Sequence, residues 1–300
     1  MIEIRRILCP TDFSGFSRHA LDFSVALAKW YEAEVTVLHV LPRIAPNPAY
    51  LPEPMVIPPA ARERALRELG RFVHESRRAG VTTQVVLEEG DTIPTIVNLA
   101  KRLPADLLAL GTHGRGGFER FMLGSVTEKV LRKAPCPVLT LPRAVEGAVA
   151  QEPALFKKIL CPVDFSFCSQ KSLEFAISLA EEADAHLTLL HVLEFAPDVD
   201  PRQGAAPLVH EYRTRLENEA RERLRAAVPT EVRQWCQVEE LVRVGRPYSE
   251  ILRAAEAHGA ELIVIGVQGR SGLDLAVFGS TTQHVVRAAR CPVLTIRSGQ

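Results

Sequence analysis

Short apolar runs that stop at proline or glycine alternate along this chain with stretches whose apolar residues recur every three or four positions. In the first half, Arg6–Pro10 is an apolar run closed by proline and predicts a buried strand. Ser14 or Ser17 can start a helix whose apolar face carries Ala20, Leu21, Val25, Leu27 and Ala28. Glu34–Leu41, rich in β-branched residues, predicts a second strand. Seven prolines between Pro42 and Pro59 predict a loop. Helical spacing returns over Ala60–Arg78, with solvated Arg and Glu between the apolar positions. Thr82–Leu87 predicts a third strand, and Ile93–Leu103 a helix that tolerates Pro94 in its first turn. Ala105–Leu110, Ser125–Lys133 and Pro137–Leu141 then predict strand, helix and strand. Strands that alternate with helices imply a parallel sheet covered on both faces.

The same series occurs twice. Ile7-Leu8-Cys9-Pro10-Thr11-Asp12-Phe13-Ser14 returns as Ile159-Leu160-Cys161-Pro162-Val163-Asp164-Phe165-Ser166, 152 residues later, and Leu38-His39-Val40-Leu41 returns as Leu190-His191-Val192-Leu193. From Gly90 and Gly245 onward the offset is 155. Two domains of one α/β fold follow, each a doubly wound, Rossmann-like parallel sheet of five strands with helices on both faces. Their expected limits are residues 1–143 and 156–300, with a linker at 144–155 where periodic apolar residues give way to Ala, Gly and Glu.

The densest chemistry sits where the fourth strand ends. Leu107–Leu110 runs into Gly111-Thr112-His113-Gly114, and nine residues later Gly124-Ser125-Val126 opens a helix. The second half has Gly266-Val267-Gln268-Gly269 and, nine residues on, Gly279-Ser280-Thr281. Glycine serves where the backbone takes a positive φ or where a ligand must come close. Main-chain N–H groups at a helix start attract anions, phosphate above all. In open parallel sheets, ligands bind outside the carboxyl ends of strands where strand order reverses. If the first and fourth strands flank that reversal, Asp12 lies opposite the glycines and Val40 borders the same space.

Taken together, Cys-Pro-Thr-Asp-Phe-Ser at 9–14, Leu-His-Val at 38–40, Gly-Thr-His-Gly at 111–114 with its spaced Gly-Ser, and Cys-Pro-Val-Leu-Thr at 136–140 resemble the universal stress protein family. The chain is similar to its tandem form, and its spaced glycine motif is similar to that of the ATP-binding members. The resemblance implies a strand order of 3-2-1-4-5 and ATP, accompanied by Mg²⁺ or Mn²⁺, as ligand. It implies that Asp12 and the Val40 backbone address the nucleoside, with Pro10 and Thr11 at the pocket's border. Gly111, His113 and Gly114 lie along the ribose and phosphates, and Gly124, Ser125 and Val126 hold the phosphate tail. The matching residues of the second half are Pro162, Val163, Asp164, Val192, Gly266, Gln268, Gly269, Gly279, Ser280 and Thr281. Gln268 cannot carry an imidazolium charge and Val163 lacks the Thr11 hydroxyl, so the second site is expected to bind more weakly. The resemblance further implies association through the fifth strands, within the chain as a pseudo-dimer or between two chains.

Composition narrows the picture. Thirty-six basic and thirty-six acidic residues cancel, which removes the electrostatic ground for nucleic-acid or anionic-membrane binding. No apolar run reaches the roughly 20 residues of a membrane span. Six cysteines without a C-x-x-C point to a reduced, cytoplasmic setting, and Cys9, Cys161, Cys136 and Cys291 read as small apolar fillers. There is no P-loop and no complete G-x-G-x-x-G.

Competing readings of single residues stay open. Ser125-x-x-Glu128 and Ser280-x-x-Gln283 fit the capping box, which needs no ligand. Asp12 and Asp164 could cap the following helix. His39 and His191 read as satisfied core histidines, and Gly90 and Gly245 as strand-to-helix turns. Arg115, Arg120 and Arg270 are either phosphate partners or ordinary loop residues, and Glu211–Ala227 is a solvated helix. The functional expectation is a cytosolic, ATP-binding stress-response regulator. Its rivals are a slow ATPase or self-phosphorylating enzyme, working near Thr11, His113 or Ser125, and a nucleotide-free dimerising scaffold.

Overall fold

The expected alternation folds into two compact units of the same design. The structure, a computed structural model, describes residues 2–43, 57–114, 123–142, 156–194, 206–268 and 278–297. The first unit runs β1 (Arg6–Pro10), α1 (Gly15–Tyr31), β2 (Glu34–Pro42), α2 (Pro59–Phe72), α3 (His74–Arg78), β3 (Thr83–Gly90), α4 (Thr92–Arg102), β4 (Leu107–Gly111), α5 (Ser125–Lys133) and β5 (Val138–Leu141). The second runs β6 (Lys158–Pro162), α6 (Phe167–Ala183), β7 (His186–Leu193), α7 (Ala206–Ala226), β8 (Val238–Val244), α8 (Pro247–His258), β9 (Leu262–Gly266), α9 (Ser280–Ala288) and β10 (Val293–Ile296). Within each unit the strands pair in parallel, in the order β3-β2-β1-β4-β5 and, in the second unit, β8-β7-β6-β9-β10. Helices α1 and α2 cover one face of the first sheet, while α4 and α5 pack together on the other.

Order and register together position the site. β1 pairs with β2 along its whole length, yet with β4 only at Ile7↔Leu107 and Leu8↔Leu108. β6 and β9 do the same at Ile159↔Leu262 and Leu160↔Ile263. Beyond those rungs the two strands part, and their following helices leave toward opposite faces.

The core is the continuous apolar stretch of these central strands. Leu8, Cys9, Val35, Val37, Leu38, Leu108 and Ala109 are fully shielded, as are their counterparts in the second unit. All six cysteines are reduced. Burial pushes the Cys9 and Cys161 thiols up to about 12, which fits the apolar role expected of them. The single helix expected over Ala60–Arg78 is two helices. Val73 interrupts the helical run (φ −93°, ψ −1°), although its N–H still donates to the Leu69 carbonyl (3.0 Å) and Leu69, Phe72 and Val73 are all buried on one face. Most of the proline-rich stretch lies outside the described residues. Gly90 and Gly245 have φ of +154° and +151°, as turns of their kind require. None of the described helices is long and apolar enough to cross a membrane.

Leu8→Ala and Leu160→Ala are each expected to cost about 2–5 kcal/mol in chemical denaturation, since both side chains are enclosed. Glu63→Ala, which removes an exposed ion pair with Arg67, should stay within about 0.5 kcal/mol of the parent. Comparable losses from all three would contradict this placement of the core.

Candidate functional site

Where β1 and β4 part, the first unit holds a cleft of about 740 Å³, lined by all ten residues expected of its site: Pro10, Thr11, Asp12, Val40, Gly111, His113, Gly114, Gly124, Ser125 and Val126. The volume suits a drug-sized or nucleotide-sized ligand. Leu38, Ile96, Leu110 and Leu123 make the floor and walls apolar, and Ser17, His39, Pro42, Thr92 and Thr127 complete the lining. Asp12 is the only acid in that lining, and it contains no lysine or arginine among the described residues. Anion recognition there falls to main-chain N–H groups and His113.

The N–H groups come from α5. Gly124 is its N-cap (φ −57°, ψ 133°), with no side chain capping the helix. The Gly124 N–H donates to the Thr112 carbonyl (2.8 Å), and the first intrahelical bond runs from Glu128 N–H to the Gly124 carbonyl (2.9 Å). The N–H groups of Ser125, Val126 and Thr127 in between have no main-chain acceptor among the described residues and carry the positive end of the helix dipole. Thr127 fixes their position, donating its hydroxyl to the Gly111 carbonyl (2.8 Å). The capping-box reading of Ser125 and Ser280 is therefore overturned. Each is the first helical residue, one position past the cap, and Glu128 pairs instead with Arg132 (2.9 Å).

The opposite wall comes from β1 and β2. The Thr11 N–H donates to the Leu38 carbonyl (2.7 Å), the last rung between those strands. Main-chain groups alternate sides along a parallel ladder, so the N–H and C=O of Val40 face the side that β1 has already left. They supply a donor and an acceptor toward the cleft. Asp12 accepts the Ser14 N–H (3.0 Å) with one oxygen, while its other oxygen lies 2.7 Å from where a Gly114 β-carbon would stand. Its carboxylate thus bridges the β1–α1 turn and the glycine strand end. Ser14 is the N-cap of α1, accepting the Ser17 N–H (3.3 Å), so Asp12 is not the cap.

Thr11 serves the turn itself. Its hydroxyl accepts the Phe13 N–H (3.0 Å) and donates to Ser17 (3.1 Å), which commits its one proton inside the protein. Between these ties Phe13 sits in the left-handed region at φ 62°, as does Phe165 in the second unit. Such a conformation costs a bulky residue about 1–2 kcal/mol. His39 donates from Nδ1 to the Thr11 carbonyl (2.8 Å) and His191 to the Val163 carbonyl (2.6 Å), the satisfied roles expected of them. His113 differs. Its Nδ1 lies 3.0 Å from the Thr112 hydroxyl, and its buried Nε2 has no partner among the described residues. A buried polar atom without a partner is costly, and a ligand oxygen would relieve it.

The glycines act through close approach and not through positive φ, which none of Gly111, Gly114 and Gly124 adopts. A β-carbon on Gly111 would stand 2.7 Å from the Phe16 β-carbon, so that glycine admits the first turn of α1. One on Gly124 would stand 3.1 Å from the Thr112 carbonyl oxygen. Sequence reasoning missed Thr127 and Ser17, although both recur at matched positions, as Thr282 and Ser169. Thr282 repeats the tie, to the Gly266 carbonyl (2.7 Å).

The second unit repeats this frame with other side chains. Asp164 accepts the Ser166 N–H and hydroxyl, Pro162 ends β6, Val192 is the next-to-last residue of β7, and α9 starts at Ser280 and Thr281 behind the N-cap Gly279. Val163 is buried, and Gly266 admits Cys168 as Gly111 admits Phe16. Gln268 is buried too, its Oε1 3.8 Å from the Cys168 thiol. Gly269, Arg115, Arg120 and Arg270 lie outside the described residues. Among those described, no cluster of His, Cys, Asp or Glu could hold a metal ion.

Comparison with known proteins agrees with this architecture. The sequence model of the universal stress protein family matches residues 3–142 and again 155–297. A universal stress protein of Methanocaldococcus jannaschii is 34% identical over 48% of this chain and 83% of its own length. One from Mycolicibacterium smegmatis is 25% identical over 97% of this chain and 96% of its own. Among solved structures, a universal stress protein from Archaeoglobus fulgidus superposes with a TM-score of 0.68 at 23% identity, covering 98% of both chains.

The glycine contacts separate packing from ligand space. Gly111→Ala forces its new methyl against the rigid start of α1 and should cost about 1–3 kcal/mol in urea unfolding. Gly114→Ala meets only a carboxylate end that can rotate away, and should change stability by less than about 0.5 kcal/mol. Equal losses at the two positions would refute the assignment.

Proposed function

The chain belongs to the universal stress protein family, with the family's domain present twice, and we propose that its first domain binds ATP in the cleft between β1 and β4 as a cytosolic regulatory protein. The observation that carries the proposal is the set of N–H groups on Ser125, Val126 and Thr127, without an acceptor among the described residues, across from Asp12 in a cleft with an apolar floor. Phosphate oxygens are acceptors only, and these groups are donors only, at the positive end of a helix. The purine takes the apolar part, where Val40 supplies a main-chain donor and acceptor. Asp12, an acceptor, suits sugar hydroxyls. His113 turns its unpartnered Nε2 to a phosphate oxygen.

With no metal cluster in the described protein, Mg²⁺ or Mn²⁺ arrives on the triphosphate and is held mainly by it. The second domain keeps the helix start and Asp164 but has Gln268 turned to Cys168, so it binds the same ligand more weakly. Occupancy, and not turnover, is the proposed signal. The Thr11 hydroxyl is committed to the turn, which leaves it unsuited as a phosphoryl acceptor.

Calorimetry with MgATP on nucleotide-stripped full-length protein is expected to give micromolar affinity, about −8 kcal/mol. Asp12→Ala should weaken the tighter binding at least tenfold, about 1.4 kcal/mol, while Asp164→Ala leaves it within threefold. No heat at millimolar ATP on folded protein would end the proposal. Equal effects of the two variants would end the ranking of the two domains.

A further inference from the structure

Phe13 stands outside the cleft lining, yet the cleft and the α2 side of the first domain meet on it. We propose that Phe13 is a pivot through which occupancy of the first cleft is reported at the C-terminal end of α2. The proposal rests on the nucleotide reading of that cleft and adds the route by which occupancy leaves it.

Both peptide groups of Phe13 are tied to side chains of cleft residues. Its own N–H donates to Thr11 Oγ1 (3.0 Å), and the N–H of Ser14 donates to Asp12 Oδ1 (3.0 Å). Those ties hold the residue at φ 62°, which a phenylalanine leaves once they loosen. In that conformation the ring lies 4.4 Å from the His39 ring and meets Phe72, the last residue of α2, edge-on at 5.6 Å. Phe72 is held in turn by Arg18 of α1. The guanidinium lies 3.7 Å over its ring, and Nη1 donates to its carbonyl (2.5 Å). An unbroken series of contacts therefore runs from the Asp12 carboxylate to the end of α2.

As a pivot, the series would work between two arrangements, the observed one and a relaxed one. With Asp12 fixed, residue 13 stays left-handed and its ring supports Phe72. With the Asp12–Ser14 bond broken, residue 13 relaxes to negative φ and the ring withdraws. A nucleotide that bridges Asp12 and the α5 N–H groups fixes the carboxylate and favours the first arrangement. On the outer side, Phe13, Arg18, Arg71 and Phe72 border a surface pocket of about 310 Å³, so the shift changes a surface that carries two guanidinium groups.

The second domain builds the same link from different residues. Phe165 has φ 62°, its ring lies 4.6 Å from the His191 ring, and Arg223 of α7 places its guanidinium 3.8 Å over it. In each half the left-handed phenylalanine reaches the helix that follows the second strand. That recurrence, despite Val163 in place of Thr11, marks the contact as a built feature of the fold.

Hydrogen exchange read by mass spectrometry, on full-length protein with and without MgATP, tests the link, with calorimetry on the same samples. In the parent, ATP should slow exchange at least threefold in peptides covering the last two turns of α2 and at the start of α5. Phe13→Gly accepts the same φ without the ring, and Phe13→Leu keeps apolar bulk should the glycine variant fold poorly. Both should bind ATP within threefold of the parent and protect α5, yet lose the response at α2. An α2 response that persists in both variants, or one absent from the parent while α5 is protected, would overturn the pivot. No binding and no α5 protection in the parent would instead remove the nucleotide reading, and the pivot with it.

Discussion

Two rungs of hydrogen-bonded register between β1 and β4, and none beyond, are the constraint on which the rest depends. Parallel strands that feed right-handed crossovers to opposite faces must separate at their carboxyl ends. Leu38 and Leu110 of the sheet line the gap, and the ends of main-chain ladders open into it. The groups left there are what ladders leave when they stop: the amide pair of Val40 and the first N–H groups of α5. The site follows from topology before any special residue is placed. The special residues then decide how narrow the gap is and what charge it carries.

Gly111 shows how those two levels interlock. It is the last residue of β4 and a wall of the cleft, yet what excludes a side chain there is Phe16, on α1. The same contact brings the start of α1, and with it Asp12, to within reach of Gly114. Thr127 closes the arrangement from the other side by holding the start of α5 to the Gly111 carbonyl. Strand end, helix start and carboxylate are thus set against one another by contacts between residues far apart in the chain.

That distance explains what the sequence could and could not disclose. Strand ends at Pro10 and Gly111, the parallel alternation and the internal repeat were legible, because each is written in local apolar spacing or in self-similarity. The glycines of the first cleft were legible through their repeated spacing, whereas the full set of ten residues came together only through the resemblance to the family. The glycine at 111 was read as serving its own backbone or a ligand, because a helix docking from ninety-odd positions upstream leaves no local mark. Ser125 was read as a cap because the pattern Ser-x-x-Glu is the same whether the serine precedes the helix or begins it. Only the path of Gly124 decides. The break at Val73 leaves no mark in the apolar spacing, since Leu69, Phe72 and Val73 keep the i, i+3, i+4 positions of one helix face across it. Between the halves, Phe16 with His113 and Cys168 with Gln268 are paired exchanges, visible only once β4 and α1 are placed side by side.

The cysteines carry one more consequence. Oxidants attack the thiolate, and a thiol must ionise and be reached before it enters the oxidation ladder. Cys9 and Cys161 can do neither, being sealed inside the central strands with their thiols pushed up to about 12. Cys291, just before β10, has intermediate exposure, but burial pushes its thiol up as well, to about 11. A burst of peroxide would therefore leave the scaffold of both sheets chemically unchanged.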